Sequence, residues 1–315
     1  QPISPMTTQK TEQTSNPIKT PVFLNAAEAQ VIRALRKSSS VSRSKIMEMT
    51  GWSKAKTSLE VRELVDRGFL VDEEEGVSAG GRKPRLLRFN HQMGYVLGVD
   101  IGATSIDLAL ADVGGNILRR VCETADVRDP ADQVLGRCVQ LAEELVLAQG
   151  CQNNEILGIG VGVPGPVDFS RGVLVAPPLM PEWENYPIRD FFMRTFHFAY
   201  VVVDNDVNIM ALGEKRYGDA NNVDHFIYIK IGTGIGSGIM ANGKIHRGSN
   251  GCAGDIGHIC VDKQGPICRC GNRGCLEAMA AGPSITEKAL LAATNGESPL
   301  LLQLMQNNQG VMTPE

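Results

Sequence analysis

Two glycine-rich turns, each placed between apolar segments, constrain the fold of this 315-residue chain more than any other feature. The first lies in YVLGVDIGATSIDLALAD at residues 95–112, and the second lies in IYIKIGTGIGSGIMANGKI at residues 227–245. Each stretch predicts two strands joined by a tight turn. A single unit of this kind is weak evidence, because ordinary glycine-rich hairpins are common. The presence of two units makes that alternative the weaker one.

A pair of such strand–loop–strand units, far apart in sequence, is how actin-like ATPase folds hold a triphosphate between two lobes. We therefore predict an α/β body with an actin-like, ribonuclease H-like fold. Backbone N–H groups in such turns can approach a phosphate, and an aspartate there can hold Mg²⁺ through water. The predicted nucleotide-binding residues are Asp100, Gly102, Thr104, Gly232, Thr233, Gly234 and Gly236.

A buried strand followed by a helix is predicted in AYVVVDNDVNIMALGEKRYG at residues 199–218, with the strand ending at Asn205-Asp206. Open α/β sheets place chemistry at the carboxyl ends of their strands. There Asp206 can accept the proton of a sugar hydroxyl whose oxygen attacks a γ-phosphate. The alternative is that Asp206 only caps the helix.

Three closely spaced cysteines lie in GHICVDKQGPICRCGNRGCLE at residues 257–277. No apolar run approaches the ~20 residues of a membrane span, and the polar N-terminus lacks the apolar region of a signal peptide. We therefore expect a cytoplasmic protein, in which clustered cysteines are metal ligands rather than disulfides. The remaining cysteines are scattered and are expected to be mostly buried apolar residues.

Charge divides the chain into a basic front and an acidic body. Residues 1–90 contain 15 Lys and Arg against 10 Asp and Glu, which gives +5, so the remainder of a chain of net charge -4 carries -9. A basic front on an acidic body indicates nucleic-acid binding by the front. Residues 1–24 are rich in Pro, Thr, Gln and Ser, and we expect a disordered tail there.

The front has the pattern of a winged helix-turn-helix domain over residues 25–89. Asn25 and Glu28 have capping-box spacing before a first helix, a second helix follows Ser42, and Ser53 caps a third after a turn at Gly51. Leu59, Val61, Leu64 and Val65 are expected to face the core. The predicted DNA-binding residues of the third helix are Lys54, Lys56, Thr57, Ser58 and Arg62. A solvated face in a protein–protein module is the alternative.

A wing is predicted after the third helix, with GFLV and RLLRF as its strands and DEEEG as the turn. The acidic residues that we place at the wing tip would be repelled by phosphate, and they are Asp72, Glu73, Glu74 and Glu75. A contribution of the wing to DNA binding would therefore depend on Arg82, Lys83 and Arg85.

The body resembles the ROK family, whose name joins repressor, open reading frame and kinase. The matching segments, between about residues 95 and 282, are DIGATSIDLAL, GVPGPVD, DNDVNIMALGE, GTGIGSGI, GDIGHI and CRCGNRGCLE. The Cys-x-Cys-Gly-x-x-Gly-Cys-x-Glu string is the most specific of them. The winged helix and the GGRKPRLLRFN stretch resemble ROK transcription regulators, whereas simple ROK sugar kinases lack that front. The resemblance implies a sugar-kinase fold over residues 95–315.

The resemblance also implies a zinc site and a sugar site. The zinc ligands in the loop 258–275 would be His258, Cys268, Cys270 and Cys275. Three thiolates and one imidazole saturate a tetrahedral ion, so this Zn²⁺ would be structural. Cys252 or Cys260 is an alternative ligand. The sugar-binding residues would be Asn205, Asp206, Asp255, His258 and Glu277, with Asp206 as the catalytic base.

Two departures from the family pattern stand out. Asp255 replaces the usual Glu of a Glu-x-Gly-His motif, which withdraws a carboxylate by about one C–C bond, so we expect its hydrogen bond to a sugar hydroxyl to be missing or bridged by water. The family usually continues past residue 315 with a further glycine-rich loop. We therefore expect this sequence to be a C-terminally truncated fragment with an incomplete nucleotide pocket.

The sequence thus favours a sugar-responsive transcriptional regulator, most simply a repressor, of carbohydrate uptake or metabolism genes. Its expected partners are operator DNA, a sugar or sugar phosphate, and further copies of the chain in a homodimer or homotetramer. The alternative is an ATP-dependent kinase of hexoses or N-acetylhexosamines, using ATP and Mg²⁺, that carries an extra DNA-binding domain.

Overall fold

The computed structural model of the chain describes residues 24–36, 40–74, 85–197 and 199–307. Nearly all of the predicted tail, Glu75, Arg82 and Lys83 of the predicted wing, and the last eight residues lie outside the described residues.

The N-terminal unit combines helices with a small antiparallel sheet. Its elements are α1 (Ala26–Arg36), β1 (Val41–Ser42), α2 (Arg43–Thr50), α3 (Lys54–Asp66), β2 (Leu70–Glu74) and β3 (Arg85–Phe89). The strand order is β1-β3-β2. Because α2 and α3 are separated by a short turn, they pack closely against each other and against α1.

Local capping explains where these helices begin and end. The Asn25 N–H donates to the Glu28 carboxylate and the Glu28 N–H donates to the Asn25 side chain, which confirms the predicted capping box. Ser42 caps α2 and Ser53 caps α3 through their hydroxyl oxygens. Gly51 ends α2 with φ at 69°, a left-handed conformation that favours glycine.

The inward face of α3 differs in two places from the predicted one. Val61 and Leu64 are fully buried as expected, but Leu59 is 56% exposed, so its assignment to the core was wrong. Thr57 is only 1% exposed, and its hydroxyl donates to the Ser53 carbonyl. The prediction that Thr57 lies on the outer face of α3 is therefore wrong, because a helix of 3.6 residues per turn places it in line with Val61 and Leu64.

Asp72, Glu73 and Glu74 were predicted to lie in the turn of the wing, but they belong to strand β2. Asp72 forms ion pairs with Arg43 of α2 at 2.6 Å and with Arg85 of β3 at 3.4 Å, and Glu73 pairs with Arg88. The hydrogen bond from Arg43 is the main cause that lowers the pKa of Asp72. These arginines offset the negative charge that was expected to repel phosphate.

The first part of the body contains a mixed five-stranded sheet. Its elements are β4 (Tyr95–Ile101), β5 (Ser105–Asp112), β6 (Ile117–Thr124), α4 (Ala131–Gln149), β7 (Ile156–Val163), β8 (Val167–Asp168), β9 (Val173–Leu174), α5 (Ile188–Thr195) and β10 (Tyr200–Asn205). The strand order is β10-β7-β4-β5-β6. Strands β10, β7 and β4 are parallel, whereas β4, β5 and β6 form an antiparallel meander. The predicted turn after β4 therefore joins two paired strands.

A second, smaller sheet follows and contains the other glycine-rich turn. The elements are α6 (Asp206–Tyr217), β11 (Phe226–Ile231), β12 (Ile235–Ala241), β13 (Lys244–Ile245), α7 (Leu276–Ala280), α8 (Gly282–Thr294) and α9 (Pro299–Asn307). Helix α6 packs directly on β12. A Cβ on Gly238 of β12 would lie 2.6 Å from the Ala211 Cβ and the Val207 carbonyl, so the close packing requires glycine there. Among the described helices, none combines the length and apolar character of a membrane span.

Candidate functional site

A polar cleft of about 350 Å³ lies between the two sheets of the body. Both glycine-rich turns line it, and so does every predicted nucleotide-binding residue within them. The predicted sugar-binding residues Asn205, Asp206, Asp255, His258 and Glu277 line it as well. The fold thus brings together residues that lie far apart in sequence, from Asp100 to Glu277.

The carboxyl end of β10 places Asn205 and Asp206 at the base of the cleft. The Asn205 side-chain oxygen accepts hydrogen bonds from the backbone N–H groups of Val207 at 3.0 Å and Asn208 at 3.2 Å, so Asn205 is the N-cap of α6. Its side-chain amide donates to the Gly165 carbonyl. Asp206 is the first helical residue, only 6% exposed, and it is not the cap.

Lys230, which the sequence reasoning missed, binds the Asp206 carboxylate. Its ammonium nitrogen lies 2.7 Å from Asp206 Oδ2, and the Val207 N–H lies 2.9 Å from Oδ1. Lys230 belongs to β11, so this ion pair joins the two sheets across the cleft. A signal existed in the sequence, since Lys230 is the one charged residue in the apolar run of that strand.

Asp100, on strand β4 of the first sheet, lies near Asp206. A Cβ on Gly162, in the strand between, would stand 3.3 Å from Asp100 Oδ1 and 3.5 Å from the Asp206 Cα. Burial is the main cause that raises the pKa of Asp100, and the Asp206 carboxylate raises it further while Lys230 opposes the rise. The two carboxylates are therefore electrostatically coupled.

Glu277 connects the cysteine loop to the second glycine-rich turn. It lies in the first turn of α7, and its Oε2 accepts a hydrogen bond from the Ile235 N–H at 3.0 Å. A Cβ on Gly234 would be 2.6 Å from the same oxygen, so the carboxylate lies directly against the turn. The side chain of Glu277 therefore contacts the turn at 232–234 and the residue that follows it.

The predicted metal ligands form a compact cluster. The ligand atoms of His258, Cys268, Cys270 and Cys275 all lie within 4.8 Å of one another. The Cys268 sulfur is 3.5 Å from His258 Nδ1, and the sulfurs of Cys270 and Cys275 are 3.7 Å apart. Among the described residues this is the group with metal-ligand geometry, and neither Cys252 nor Cys260 belongs to it.

The two nitrogens of the His258 ring face different partners. Nδ1 faces the thiols, while Nε2 lies 3.8 Å from Asp255 Oδ1 at the wall of the cleft. The ring is therefore placed between the cysteine cluster and the cleft. Its orientation is set by the cysteine loop, which turns tightly at Gly274, where a Cβ would overlap the Asp262 carbonyl at 1.5 Å.

A second ion pair, also missed from the sequence, supports the base of the cleft. Asp204 is 4% exposed and accepts from Arg247 at 2.6 Å and from the Asn208 amide at 3.1 Å. The Arg247 guanidinium also lies 3.9 Å from the centre of the Phe169 ring. Arg247 thereby attaches the loop after β13 to the end of β10.

The predicted DNA-binding residues lie on α3, and except for Thr57 they are exposed: Lys54, Lys56, Ser58 and Arg62. The Lys56 ammonium lies 4.7 Å from the centre of the Trp52 ring, which holds it beside the turn. A shallow concavity between α2 and α3 is lined in part by Arg43, Lys54 and Ser58. The start of α3 therefore presents several positive charges on one surface.

Comparison with known proteins gives consistent results for sequence and structure. The sequence profile of the ROK family matches residues 96–311. The xylose repressor of Caldicellulosiruptor bescii is 35% identical over 263 residues, which are 83% of this chain and 64% of that protein. The chain thus spans slightly less than two thirds of the length of this relative.

Two solved structures resemble the chain. A ROK family transcriptional regulator, described as a homolog of the Escherichia coli MLC protein, aligns with a TM-score of 0.72 and 26% identity over 86% of this chain and 68% of its own. A ROK family glucokinase from Streptomyces griseus, solved with glucose and AMPPNP, aligns with a TM-score of 0.57 and 32% identity over 64% of this chain and 62% of its own. The regulator matches a larger share of this chain than the kinase does.

Proposed function

The chain belongs to the ROK family, and from this premise we propose that it is a sugar-responsive transcriptional regulator that represses its target genes. The observation that carries the proposal is the combination, in one chain, of a unit with an exposed basic helix and a body with a polar cleft. Relatives with such names as xylose repressor support it. So does the regulator structure that matches 86% of the chain.

We infer that the N-terminal unit is a winged helix-turn-helix domain in which α3 enters the major groove of operator DNA. The short turn at 51–53, the antiparallel strands β2 and β3 and the exposed basic residues of α3 support this assignment. Two such units read a palindromic site, so a dimer of the chain or a tetramer built from it would be the binding form.

The body supplies the sugar site in this proposal. The order of its strands, with a meander beside parallel strands, and the second hairpin support an actin-like, ribonuclease H-like fold. Asn205, Asp206, Asp255, His258 and Glu277 would read the hydroxyl groups of a sugar in the cleft. Their carboxylate oxygens and ring nitrogen are suitable hydrogen-bond partners for hydroxyls.

The cluster at His258 would hold one structural Zn²⁺. A tetrahedral zinc with Zn–S bonds of ~2.3 Å has ligand atoms about 3.8 Å apart, close to the separations of 3.5 and 3.7 Å in this cluster. Three thiolates and one imidazole leave no open coordination position, so the ion would supply stability and no chemistry. It would also fix the His258 ring with Nε2 towards the sugar.

Binding of operator DNA is the direct test of the proposal. The full chain should bind fragments from its own promoter region, measured by fluorescence anisotropy over a range of salt concentrations. Replacing Lys54 and Lys56 together by Ala should weaken binding to every sequence and reduce the salt slope by roughly one for each phosphate that is no longer neutralised. The matched control is Lys244→Ala, at an exposed position on β13 in the body. Unchanged affinity of the double variant at low salt would mean that α3 does not contact DNA.

The second candidate function is an ATP-dependent sugar kinase, which the grouping of Asp206 and both glycine-rich turns around one cleft favours. In that case Asp206 would take the proton of the attacking hydroxyl. Incubation with ATP, Mg²⁺ and a panel of hexoses and N-acetylhexosamines tests it. Release of ADP that depends on the sugar and on Asp206 would establish the kinase, whereas sugar binding without ADP release favours the regulator.

A further inference from the structure

The base of the cleft holds two acidic residues: Asp100 lies on β4 and Asp206 directly follows β10, the two strands that flank β7. A Cβ on Gly162 of β7 would lie 3.3 Å from Asp100 Oδ1 and 3.5 Å from the Asp206 Cα, so both residues lie beside this glycine. Such a pair of carboxylates is a typical ligand set for Mg²⁺. Here the ammonium of Lys230 reaches one of them at 2.7 Å.

Lys230 is well placed to act as a permanent counter-ion. Its side chain is 34% exposed, whereas that of Asp206 is 7% exposed, so the contact lies mostly out of water. Its positive charge also acts on Asp100, where it opposes the rise in pKa caused by burial and by Asp206. A divalent cation bound to both carboxylates would have to displace or repel this ammonium.

We propose that Lys230 is the built-in counter-ion of the Asp100–Asp206 pair, in place of a divalent cation, and that the cleft therefore binds an uncharged sugar without a magnesium–nucleotide complex. The inference rests on the proposed function, because it takes the cleft to be the sugar site. It selects the free sugar over the sugar phosphate and identifies Lys230 as the residue that determines this specificity.

An independent contact on the opposite side of the cleft supports the proposal. A phosphate bound at the second glycine-rich turn would need the backbone N–H groups of that turn. The Ile235 N–H already donates to the Glu277 carboxylate at 3.0 Å. A phosphate at this turn would therefore meet a negative charge and an amide that is already in use.

The net charge of the cleft also favours an uncharged sugar. Its Asp, Glu, Lys and Arg residues, four acidic and two basic, are Asp100, Asp206, Asp255, Glu277, Lys230 and Arg269. The phosphate of a sugar phosphate or nucleotide would add to this excess of negative charge, whereas a neutral sugar does not.

The Lys230–Asp206 pair can still bind hydroxyl groups. An ammonium has three donor hydrogens, and each carboxylate oxygen has more than one acceptor direction. Lys230 can therefore donate to one hydroxyl oxygen while Asp206 accepts from a neighbouring hydroxyl. Two adjacent hydroxyls of a pyranose fit this alternation of donor and acceptor.

The experiment uses the zinc-loaded full chain and two readouts. The first is Mn²⁺ binding followed by electron paramagnetic resonance, in wild type, Lys230→Met, the matched control Lys244→Met, and Lys230→Met with Asp100→Asn. We expect wild type and the control to bind no Mn²⁺ in the cleft. Lys230→Met should gain a site that the added Asp100→Asn removes. A wild-type Mn²⁺ site that Asp100→Asn abolishes would overturn the proposal.

The second readout is calorimetric binding of D-xylose, D-glucose, N-acetyl-D-glucosamine and the corresponding sugar phosphates. Wild type should bind a free sugar with an affinity that Mg²⁺ and ATP leave unchanged. Lys230→Met should bind it roughly 10- to 100-fold more weakly, the loss expected for one hydrogen bond to a charged group. Tighter binding of a phosphorylated sugar, or binding that needs Mg²⁺ and ATP, would refute the inference.

The outcomes separate this inference from the proposed function. If none of these sugars binds, the proposal of a sugar site fails, while the Mn²⁺ titration still decides whether Lys230 replaces a cation. If Lys230→Met does not fold, as judged by circular dichroism, wild type and Asp100→Asn are compared in both readouts instead. A Mn²⁺ site in wild type that Asp100→Asn abolishes would again overturn the proposal.

Discussion

The two nitrogens of the His258 ring face two different parts of the body, the cysteine cluster and the cleft. Nδ1 faces the Cys268 sulfur at 3.5 Å, while Nε2 faces Asp255 at 3.8 Å. A metal on Nδ1 fixes the tautomer, because the proton must then reside on Nε2. The ring would thus offer a defined N–H donor to the cleft only while the cysteine cluster is intact.

Cys270→Ser should remove the metal from this cluster. We expect about one zinc per chain in the wild type, measured by inductively coupled plasma mass spectrometry, and a large loss in the variant, since a hydroxyl is a poor zinc ligand. Cys260→Ser is the matched control, because this exposed cysteine lies in the same loop but outside the cluster. A full zinc content in Cys270→Ser would show that the ligand set is different.

Residues at the cleft differ in how far the sequence could predict them. Asp206, His258 and Glu277 belong to short motifs, so their place in one cleft could be predicted from the family pattern, while their roles stay predictions. Lys230 and Arg247 act through partners 24 and 43 positions away. Such pairs depend on how the second sheet packs against the first, which no local pattern encodes.

At the scale of elements, single arginines attach one segment to another in both parts of the molecule. Arg247 connects the loop after β13 to the end of β10 through Asp204, and Arg43 connects α2 to β2 through Asp72. The first pair is nearly buried and the second is partly exposed. Their contributions to stability should differ accordingly.

Arg247→Ala should lower the free energy of unfolding of the body by about 3 kcal/mol, because it leaves the buried Asp204 carboxylate without its cationic partner. Urea unfolding followed through the fluorescence of Trp183, which is buried in the body, measures the change. Arg128→Ala serves as the control, since Arg128 pairs with Asp126 on the exposed surface. Equal effects of the two substitutions would contradict the assigned role of Arg247.

Arg43→Ala should loosen the contact between α2 and β2 in a pH-dependent way. Because the folded-state pKa of Asp72 is lowered, the pair stabilises the fold above the ordinary carboxyl pKa and loses this effect as the pH falls through about 4 and below. Hydrogen exchange of residues 43–50 and 70–74 should be faster than in wild type at pH 7.

The same comparison in acid should show a smaller difference between Arg43→Ala and wild type than at pH 7, because the ion pair is lost as the pH falls through the lowered pKa of Asp72. Arg33→Ala, an exposed substitution on α1, is the control at both pH values. A difference that persists unchanged in acid would mean that Arg43 acts through packing rather than through the ion pair.

The elements themselves were largely predictable, because their signals are local. The caps at Asn25, Ser42 and Ser53 set the starts of the helices, and glycines between apolar runs set the hairpins. Thr57 and Leu59 were misassigned because residue polarity was followed instead of helical spacing. At about 100° per residue Thr57 falls on the face of Val61 and Leu64, whereas Leu59 falls on the opposite one.

At the scale of the whole molecule, helix α6 runs from the cleft to the turn after β5. Its first residue is Asp206, and the hydroxyl of its last residue, Tyr217, lies 3.5 Å from the Gly114 carbonyl in the turn after β5. A Cβ on Gly114 would overlap the ring of His91, in the segment that follows β3. The turn is therefore in contact with both Tyr217 and the segment that connects the N-terminal unit to the body.

This contact suggests a route for coupling sugar to DNA. A sugar can release the operator only if it binds the DNA-free conformation better than the DNA-bound one. A sugar bound at Asp206 and Lys230 can shift α6 along its axis. The shift would reach His91 through Tyr217 and change the spacing of two α3 helices in a dimer.

Tyr217→Phe should therefore weaken the coupling while leaving the separate affinities for sugar and operator nearly unchanged. We expect the effective sugar to lower operator affinity of the wild type by roughly 5–150-fold, as is typical of coupling between sites. Removing one hydrogen bond along the route should reduce this factor by roughly 2- to 30-fold. Operator binding by anisotropy, with and without saturating sugar, measures both numbers.

The control for this prediction is Tyr200→Phe, which removes the same hydroxyl from a tyrosine that is 65% exposed on β10. It should leave the coupling intact, because β10 is separated from β5 by β7 and β4 in the sheet. If Tyr217→Phe keeps the full response to sugar, α6 does not transmit the signal.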